Sequence, residues 1–218
     1  MRFIEKMIKS VLNEVIGSEK IVYNGTEIDF SGDWPVRSFR ELIRDDSGID
    51  IDQYETKDKL LRIIQEKSIE LPEKLDVKKI SRGNLIDALY KKVSRPAIIN
   101  PTFLVKHPVE ISPLARCNDE NKKVADRFQL VVNGWEVVNA YSELVDPIDQ
   151  KERFIQQAQA REGGDLEAME FDEDFIECME YGMPPMSGLG MGIDRFIALI
   201  TDSSSLRDVV LFPLMRSK

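Results

Sequence analysis

Four polar side chains follow one another closely in the segment NGWEVVNAYSEL, residues 133–144, namely Glu136, Asn139, Tyr141 and Glu143. The other residues of this segment are mostly apolar and typical of a β-strand. Charged and amide groups are costly to bury in a strand unless a partner compensates them. The segment is therefore either a solvated edge strand or one wall of a site that receives a positively charged group.

The residues before this segment predict how it is positioned. Asn133-Gly134 separates two β-prone runs, RFQLVV and WEVVNAYS, and this pair is a strong signal for a two-residue hairpin turn. Such a turn fixes the register, so we expect Val131 opposite Glu136 and Gln129 opposite Val138. Gln129 and Glu136 would then be diagonal neighbours on one face, within reach of one ion or ligand.

Strict alternation along the second strand places the remaining polar groups on the other face of the sheet. Asn139, Tyr141 and Glu143 can join Glu136 in one pocket only if the strand contains a β-bulge between Glu136 and Asn139. Bulges re-aim side chains beside active sites. We therefore predict a bulge at this point.

A second segment, SGLGMGIDR, combines alternating glycines with an arginine. Gly188, Gly190 and Gly192 leave one face of a predicted strand without side chains, so a flat group can approach closely. The strand leads into an apolar helix that begins near Arg195. A helix N-terminus favours anions, and arginine adds a planar cation suited to phosphate. The spacing is not the GxGxxG of dinucleotide-binding sites.

Length and composition limit the classes of protein to consider. The chain has 218 residues, 42% hydrophobic and 32% charged, which is typical of a soluble globular protein. A net charge of −9 argues against general nucleic-acid binding. Cys117 and Cys178 form no metal-ligand spacing and are interpreted as reduced thiols. No apolar run has transmembrane length, so we expect a cytoplasmic protein without membrane contact.

The elements around these segments predict the fold class. Apolar residues at helical spacing predict a first helix that ends near Gly17, and Asn24-Gly25 predicts a hairpin after it. Three charged, helix-like runs form a predicted helical insertion at about residues 38–95. Further helices are predicted from Pro147 to Gly163-Gly164 and over DEDFIECMEYG. The order of elements favours an α+β fold with an antiparallel sheet flanked by helices.

These segments together resemble a known family. GLGMGIDRFIALITDSSSLRDVVLFPLMR looks like motif 3 of the class II aminoacyl-tRNA synthetases. PTFLVKHPVEISPLAR, RFQLVVNGWEVVNAYSELVDPIDQ and FIECMEYGMPPMSGLGMGIDR resemble consecutive blocks of the lysyl-tRNA synthetases. The resemblance covers nearly the whole chain, with the helical middle least distinctive.

The resemblance implies an activity and a role for each site residue. The family joins L-lysine to ATP, giving lysyl-adenylate and pyrophosphate, and then transfers lysine to tRNA(Lys). It implies that Asn139, Tyr141 and Glu143 bind lysine, and that Glu136 and Arg195 are the catalytic residues. Residues implied to contact ATP are Glu136, Gly190, Gly192 and Arg195. Glu136 is implied to hold Mg²⁺, and Gln129 stands where many members have a second magnesium-binding glutamate.

The related aspartyl enzymes resemble this chain but carry an arginine where Glu143 stands, so Glu143 favours lysine as the substrate. The resemblance also implies that residues 1–218 are the C-terminal part of a class II catalytic domain. Motifs 1 and 2 and the anticodon-binding OB-fold are not found in the sequence. We therefore expect this chain alone to be inactive, and the resemblance implies that the full-length protein is a homodimer.

Two alternatives remain open at this point. The first is a non-catalytic synthetase-like module that binds lysine, a nucleotide or a partner. The second is a paralog that attaches lysine to a translation factor. His107, the only histidine of the chain, has no paired nucleophile and is interpreted as a structural residue.

Overall fold

The computed structural model describes residues 1–73 and 75–213 of the chain. In this part, helices alternate with two antiparallel hairpins and short strands, as an α+β chain requires. The helices are α1 Arg2–Val15, α2 Phe39–Ser47, α3 Lys57–Glu66, α4 Arg82–Val93, α5 Pro147–Glu162, α6 Glu173–Glu180 and α7 Ile193–Ile200. The strands are β1 Lys20–Tyr23, β2 Thr26–Asp29, β3 Val36–Ser38, β4 Thr102–Val105, β5 Arg127–Val132, β6 Trp135–Ser142 and β7 Ser187–Met191.

Local signals in the sequence account for most of these boundaries. Both Asn-Gly pairs form hairpin turns in which the two central residues have positive φ, with 47° at Asn24 and 75° at Gly25 in the first of them. α4 begins after Ser81, whose hydroxyl accepts a hydrogen bond from the backbone N–H of Asn84. The predicted hairpins and helices, including the three helices between residues 38 and 95, are confirmed.

The main sheet of the described residues has the order β3-β4-β5-β6-β7. All of its pairs are antiparallel except β3–β4, which is parallel. The expectation of an antiparallel sheet is thus confirmed for four strands and corrected for the short edge strand β3. β3 and β4 are separated by the helices α2, α3 and α4, and such a long crossover allows two strands to pair in parallel.

Helices cover both faces of this sheet. On one face, here called the α1 face, Phe103, Leu130 and Val132 pack with α1, the β1–β2 hairpin and α7. On the other, here called the α4 face, Leu104 and Val131 pack with α2, α3 and α4. The strands β4 and β5 are therefore buried from both sides, whereas β7 lies at an edge and is largely exposed.

The predicted bulge is present in β6. Val131 pairs with Glu136, but Leu130 pairs with Val138, so Val137 is an extra residue. Val137 and Val138 both belong to the core on the α1 face. Asn139 therefore lies on the same face as Glu136, although the two are three positions apart. The bulge also makes Asn139 the partner of Gln129. The expectation that Gln129 lies opposite Val138 was therefore wrong by one residue.

The last part of the motif 3-like segment, residues 214–216, lies outside the described residues. Within the described chain, the longest helix is α5, with 16 residues. None of the described helices is both long and apolar enough to cross a membrane.

Candidate functional site

The polar residues of the β5–β6 hairpin lie on the α4 face of the sheet. The pairs Gln129–Asn139 and Arg127–Tyr141 stand directly opposite each other, and Glu136 pairs with Val131 of the same face. β7 runs on the other side of β6, with Gly190 opposite Asn139 and Gly188 opposite Tyr141. The α4 face of β5, β6 and β7 therefore carries the predicted polar groups next to two glycines, Gly188 and Gly190, which have no side chains.

The position of the Glu143 carboxylate requires that residue 188 has no side chain. A Cβ atom at Gly188 would lie 2.0 Å from Oε1 of Glu143, much closer than any allowed contact. At Gly190 the nearest atom to such a Cβ is the backbone oxygen of Asn139 at 3.9 Å. Gly188 thus makes room for the carboxylate of Glu143, whereas Gly190 leaves open space above the strand.

The carboxylate of Glu143 is partly buried without a compensating cation. Within residues 1–73 and 75–213, no lysine or arginine lies within ion-pair distance of it. Burial raises its pKa. Burial, and next the negative charge of Glu143, also raise the pKa of Tyr141. A compact cation placed between these groups would relieve both effects.

Arg127 is a site residue that the sequence analysis did not single out. Its Nε donates to Oδ1 of Asn139 at 2.9 Å, which leaves the amide N–H groups of Asn139 to face other partners. Its Nη1 donates to the backbone oxygen of Ile111 at 2.7 Å and to Oγ of Ser112 at 3.0 Å. Burial lowers the pKa of Arg127, and the charge of Glu136 opposes this shift. Arg127 therefore fixes the orientation of Asn139.

Arg195 lies in the first turn of α7 and contacts the bulged strand. Its Nη1 donates to the backbone oxygen of Glu136 at 2.8 Å. Gly192, the N-cap of α7, is close enough that an added Cβ would lie 3.3 Å from Cδ of Arg195. The structure therefore places Arg195 against the backbone of Glu136, and Gly192 between Arg195 and Val137.

His107 contacts the site through Gln129. Its Nε2 lies 3.1 Å from Oε1 of Gln129, and Nε2 of Gln129 donates to Oε2 of Glu136 at 2.6 Å. His107 is fully buried, and its ring lies 4.9 Å from that of Phe39. Burial and then the charge of Arg127 lower its pKa to about 3. The histidine is therefore neutral at physiological pH.

A cleft of about 310 Å³ opens beside Glu136, between the sheet, α4 and α5. Its wall includes Arg127, Gln129 and Glu136 from the sheet and Asp87 and Lys91 from α4. Lys91 and Asp87 form an ion pair of 2.6 Å within the helix. The helical segment thus contributes directly to the site. Its pattern in the sequence is only that of a charged helix face, so nothing there could have identified these residues.

Comparison with known proteins assigns this geometry to a family. The sequence matches the family described as tRNA synthetases class II (D, K and N) over residues 1–216. The chain belongs to this family. The observed α+β fold with a mostly antiparallel sheet is consistent with this family, and the match agrees with the resemblance inferred from the motifs.

Curated relatives in this family carry a common name. The chain is 46% identical over 99% of its length to a lysine–tRNA ligase of Clostridium perfringens strain SM101, of which it covers 43%. It is 43% identical to the lysine–tRNA ligase of Thermosipho africanus, of which it covers 41%. It is 41% identical to that of Staphylococcus epidermidis, of which it covers 43%. The chain thus spans less than half the length of the relatives it matches.

Proposed function

We propose that the protein carrying this class II synthetase chain is a lysine–tRNA ligase. In the proposed reaction, the carboxylate of lysine attacks the α-phosphorus of ATP, pyrophosphate leaves, and lysyl-adenylate forms. The 3′-terminal ribose hydroxyl of tRNA(Lys) then takes the lysyl group, and AMP leaves. The names of the curated relatives and the match to the family support this assignment.

The observation that carries the choice of amino acid is the carboxylate of Glu143. It is partly buried above Gly188 and has no cationic partner within the described chain, so a lysine ammonium would supply the missing charge. An acidic amino acid would instead meet a carboxylate of the same charge. Asn139 and Tyr141 lie on the same face and offer an amide donor and a hydroxyl to the rest of the substrate.

ATP is proposed to bind where Glu136, Arg195 and the glycines of β7 meet. The open strand at Gly190 admits a flat ring, and the guanidinium of Arg195 suits a phosphate or a stacked base. Rate acceleration would come from positioning of the two substrates and from stabilisation of charge on the phosphates. No side chain of the site is required to form a covalent bond to the substrate.

Magnesium fits this site as a companion of ATP. No cluster of three or more His, Cys, Asp or Glu side chains occurs among the described residues. Mg²⁺ commonly takes only one or two carboxylates and completes its shell with phosphates and water. Glu136 would hold the ion. The sequence analysis expected Gln129 as a neighbouring oxygen donor, but its Oε1 lies 3.1 Å from Nε2 of His107. When bound, magnesium neutralises part of the phosphate charge.

The remaining expectations are proposals about the whole protein. From the position of the motif 3-like segment we infer that residues 1–218 correspond to the C-terminal part of the catalytic domain. Residues 38–95 would be a helical insertion in it. Recognition of tRNA(Lys), formation of a homodimer and a cytoplasmic location are likewise proposed for the whole protein.

Lysine-dependent exchange of pyrophosphate into ATP tests the proposal. The assay compares lysine with aspartate and asparagine, using the wild type, Glu143→Gln and the exposed control Glu66→Gln in α3. In a preparation that also contains the N-terminal part present in the relatives, we expect exchange with lysine but not with aspartate or asparagine. Exchange should be lost in Glu143→Gln and unchanged in Glu66→Gln. From this chain alone, shown to be folded by circular dichroism, we expect no exchange. Exchange with aspartate or asparagine in place of lysine would refute the assignment.

A further inference from the structure

Three side chains form a continuous hydrogen-bonded series from the core to the cleft. His107 Nε2 and Gln129 Oε1 are 3.1 Å apart, and Gln129 Nε2 and Glu136 Oε2 are 2.6 Å apart. His107 and Gln129 are both buried, with 0% and 7% of their surface exposed, and Glu136 is half-buried; all three side chains border the cleft. The series thus links the carboxylate of the site to a fully buried side chain.

The chemistry of the three groups fixes the direction of these hydrogen bonds. An ionised carboxylate accepts hydrogen bonds and donates none, so the N–H₂ of Gln129 must face Glu136. The carbonyl oxygen of Gln129 then faces His107 and can only accept. Nε2 of His107 must therefore carry the proton of the neutral ring.

The other ring nitrogen of His107 supports the same direction. Nδ1 is buried and has no hydrogen-bond partner within the described chain. A buried N–H without a partner is rarer in proteins than an unsatisfied acceptor. The tautomer with the proton on Nε2 leaves Nδ1 as the unsatisfied acceptor, which is the less costly of the two arrangements.

We propose that His107 and Gln129 are positioning residues that hold the carboxylate of Glu136 for its ligand. Gln129 then acts on the site as a hydrogen-bond donor, and its oxygen is occupied by His107 instead of serving a metal ion. Glu136 is held through Oε2, and no described residue donates to its Oε1, which is left for the cleft. The identity of that ligand, magnesium with ATP, rests on the proposed function.

The direction of the series can be measured without any activity. The chain contains one histidine, so ¹⁵N labelling of histidine gives signals from His107 alone. ¹⁵N chemical shifts of an imidazole ring distinguish the protonated nitrogen from the bare one. We expect the neutral form with the proton on Nε2 throughout the physiological pH range. A neutral ring with its proton on Nδ1 and a bare Nε2 would overturn the proposal.

The positioning role is tested by a matched pair of variants in a preparation with pyrophosphate exchange. His107→Gln keeps a donor N–H₂ near the position of Nε2, whereas His107→Phe fills the space and removes the donor. We expect His107→Phe to lower kcat/KM for ATP by about tenfold, with KM for lysine within about twofold, and His107→Gln to stay within about threefold of the wild type.

Failure of the positioning role and failure of the proposed function would give different results. Equal losses in His107→Phe and His107→Gln, with equal melting temperatures, would mean that His107 acts by packing and would overturn the positioning role. Absence of lysine-dependent exchange in the wild type would instead overturn the proposed function. In that case the tautomer of His107 still decides whether the hydrogen-bonded series has the direction inferred here.

Discussion

The substitution Gly188→Ala tests the lysine site by a single methyl group. The added Cβ would lie 2.0 Å from Oε1 of Glu143, so the carboxylate must move by roughly 1 Å or more to restore ordinary contact. Oε1 is the end of a flexible side chain, and the backbone of Gly188 has an ordinary φ. We therefore expect the free energy of unfolding to change by less than about 1 kcal/mol.

The effect on lysine binding should be much larger. A hydrogen bond to a charged group contributes about 1.5–3 kcal/mol, and displacement of the Glu143 carboxylate would remove it. Each 1.4 kcal/mol is a factor of ten, so the Kd for lysine should rise about 10- to 150-fold. Isothermal titration calorimetry of lysine, without ATP, measures this change in any preparation whose wild type binds lysine.

Gly190→Ala is the matched control, since it adds the same group two residues along the same strand. Its Cβ would lie 3.9 Å from the nearest backbone oxygen, which is ordinary van der Waals contact. Its lysine Kd should stay within about threefold of the wild type. Unchanged lysine binding in Gly188→Ala would show that Glu143 does not hold the ammonium. Equal weakening in both variants would show that β7 responds to any added side chain.

Three further predictions concern stability and pH. Glu143→Gln should unfold at a higher temperature than the wild type at neutral pH, because burial raises the pKa of Glu143 and the charged carboxylate therefore opposes folding. Calorimetry at a pH below the usual carboxyl pKa should show no difference between the two proteins, because the carboxyl group is then protonated in both the folded and the unfolded state. Burial raises the pKa of Asp165, but hydrogen bonds from Ser81 and Asn84 lower it overall. Asp165→Asn should therefore cost about 1–3 kcal/mol in urea unfolding at pH 7, and progressively less as the pH falls through the pKa of the folded state. Gly83→Ala should destabilise the protein by about 1–3 kcal/mol, because the added Cβ would lie 3.0 Å from the backbone oxygen of Glu110. This cost should exceed the gain from the better helix propensity of alanine. An unchanged midpoint of urea unfolding would contradict the prediction.

The parts of the fold that follow local rules could be predicted from the sequence. The two Asn-Gly turns determine their hairpins within a few residues. The bulge followed from the need to place Glu136 and Glu143 on one face, and the pairing of β5 with β6 confirms it. The match of residues 1–216 to the class II synthetases confirms the family inferred from the motifs.

The parts that depend on distant contacts could not be predicted. β3 is three residues long and pairs with β4 across more than sixty residues of chain, so no periodicity marks it. Arg127 reads as the ordinary first residue of a strand, and its importance comes from Ile111 and Ser112 in another segment. His107 is interpreted from the sequence as structural because no nucleophile pairs with it, and its contact with Gln129 is visible only in three dimensions.

The extra residue in β6 also determines which changes of length this strand can accept. Val137 and Val138 point to the same side, so Glu136 and Asn139 share a face although they are three positions apart. Deletion of Val137 would close the bulge, leave Leu130 opposite Val138 and Gln129 opposite Asn139, and keep the side chains from Asn139 to Glu143 on the same face as before. The strand should therefore accept the loss of this residue more readily than the loss of any residue between Asn139 and Glu143, where no bulge compensates the change of face.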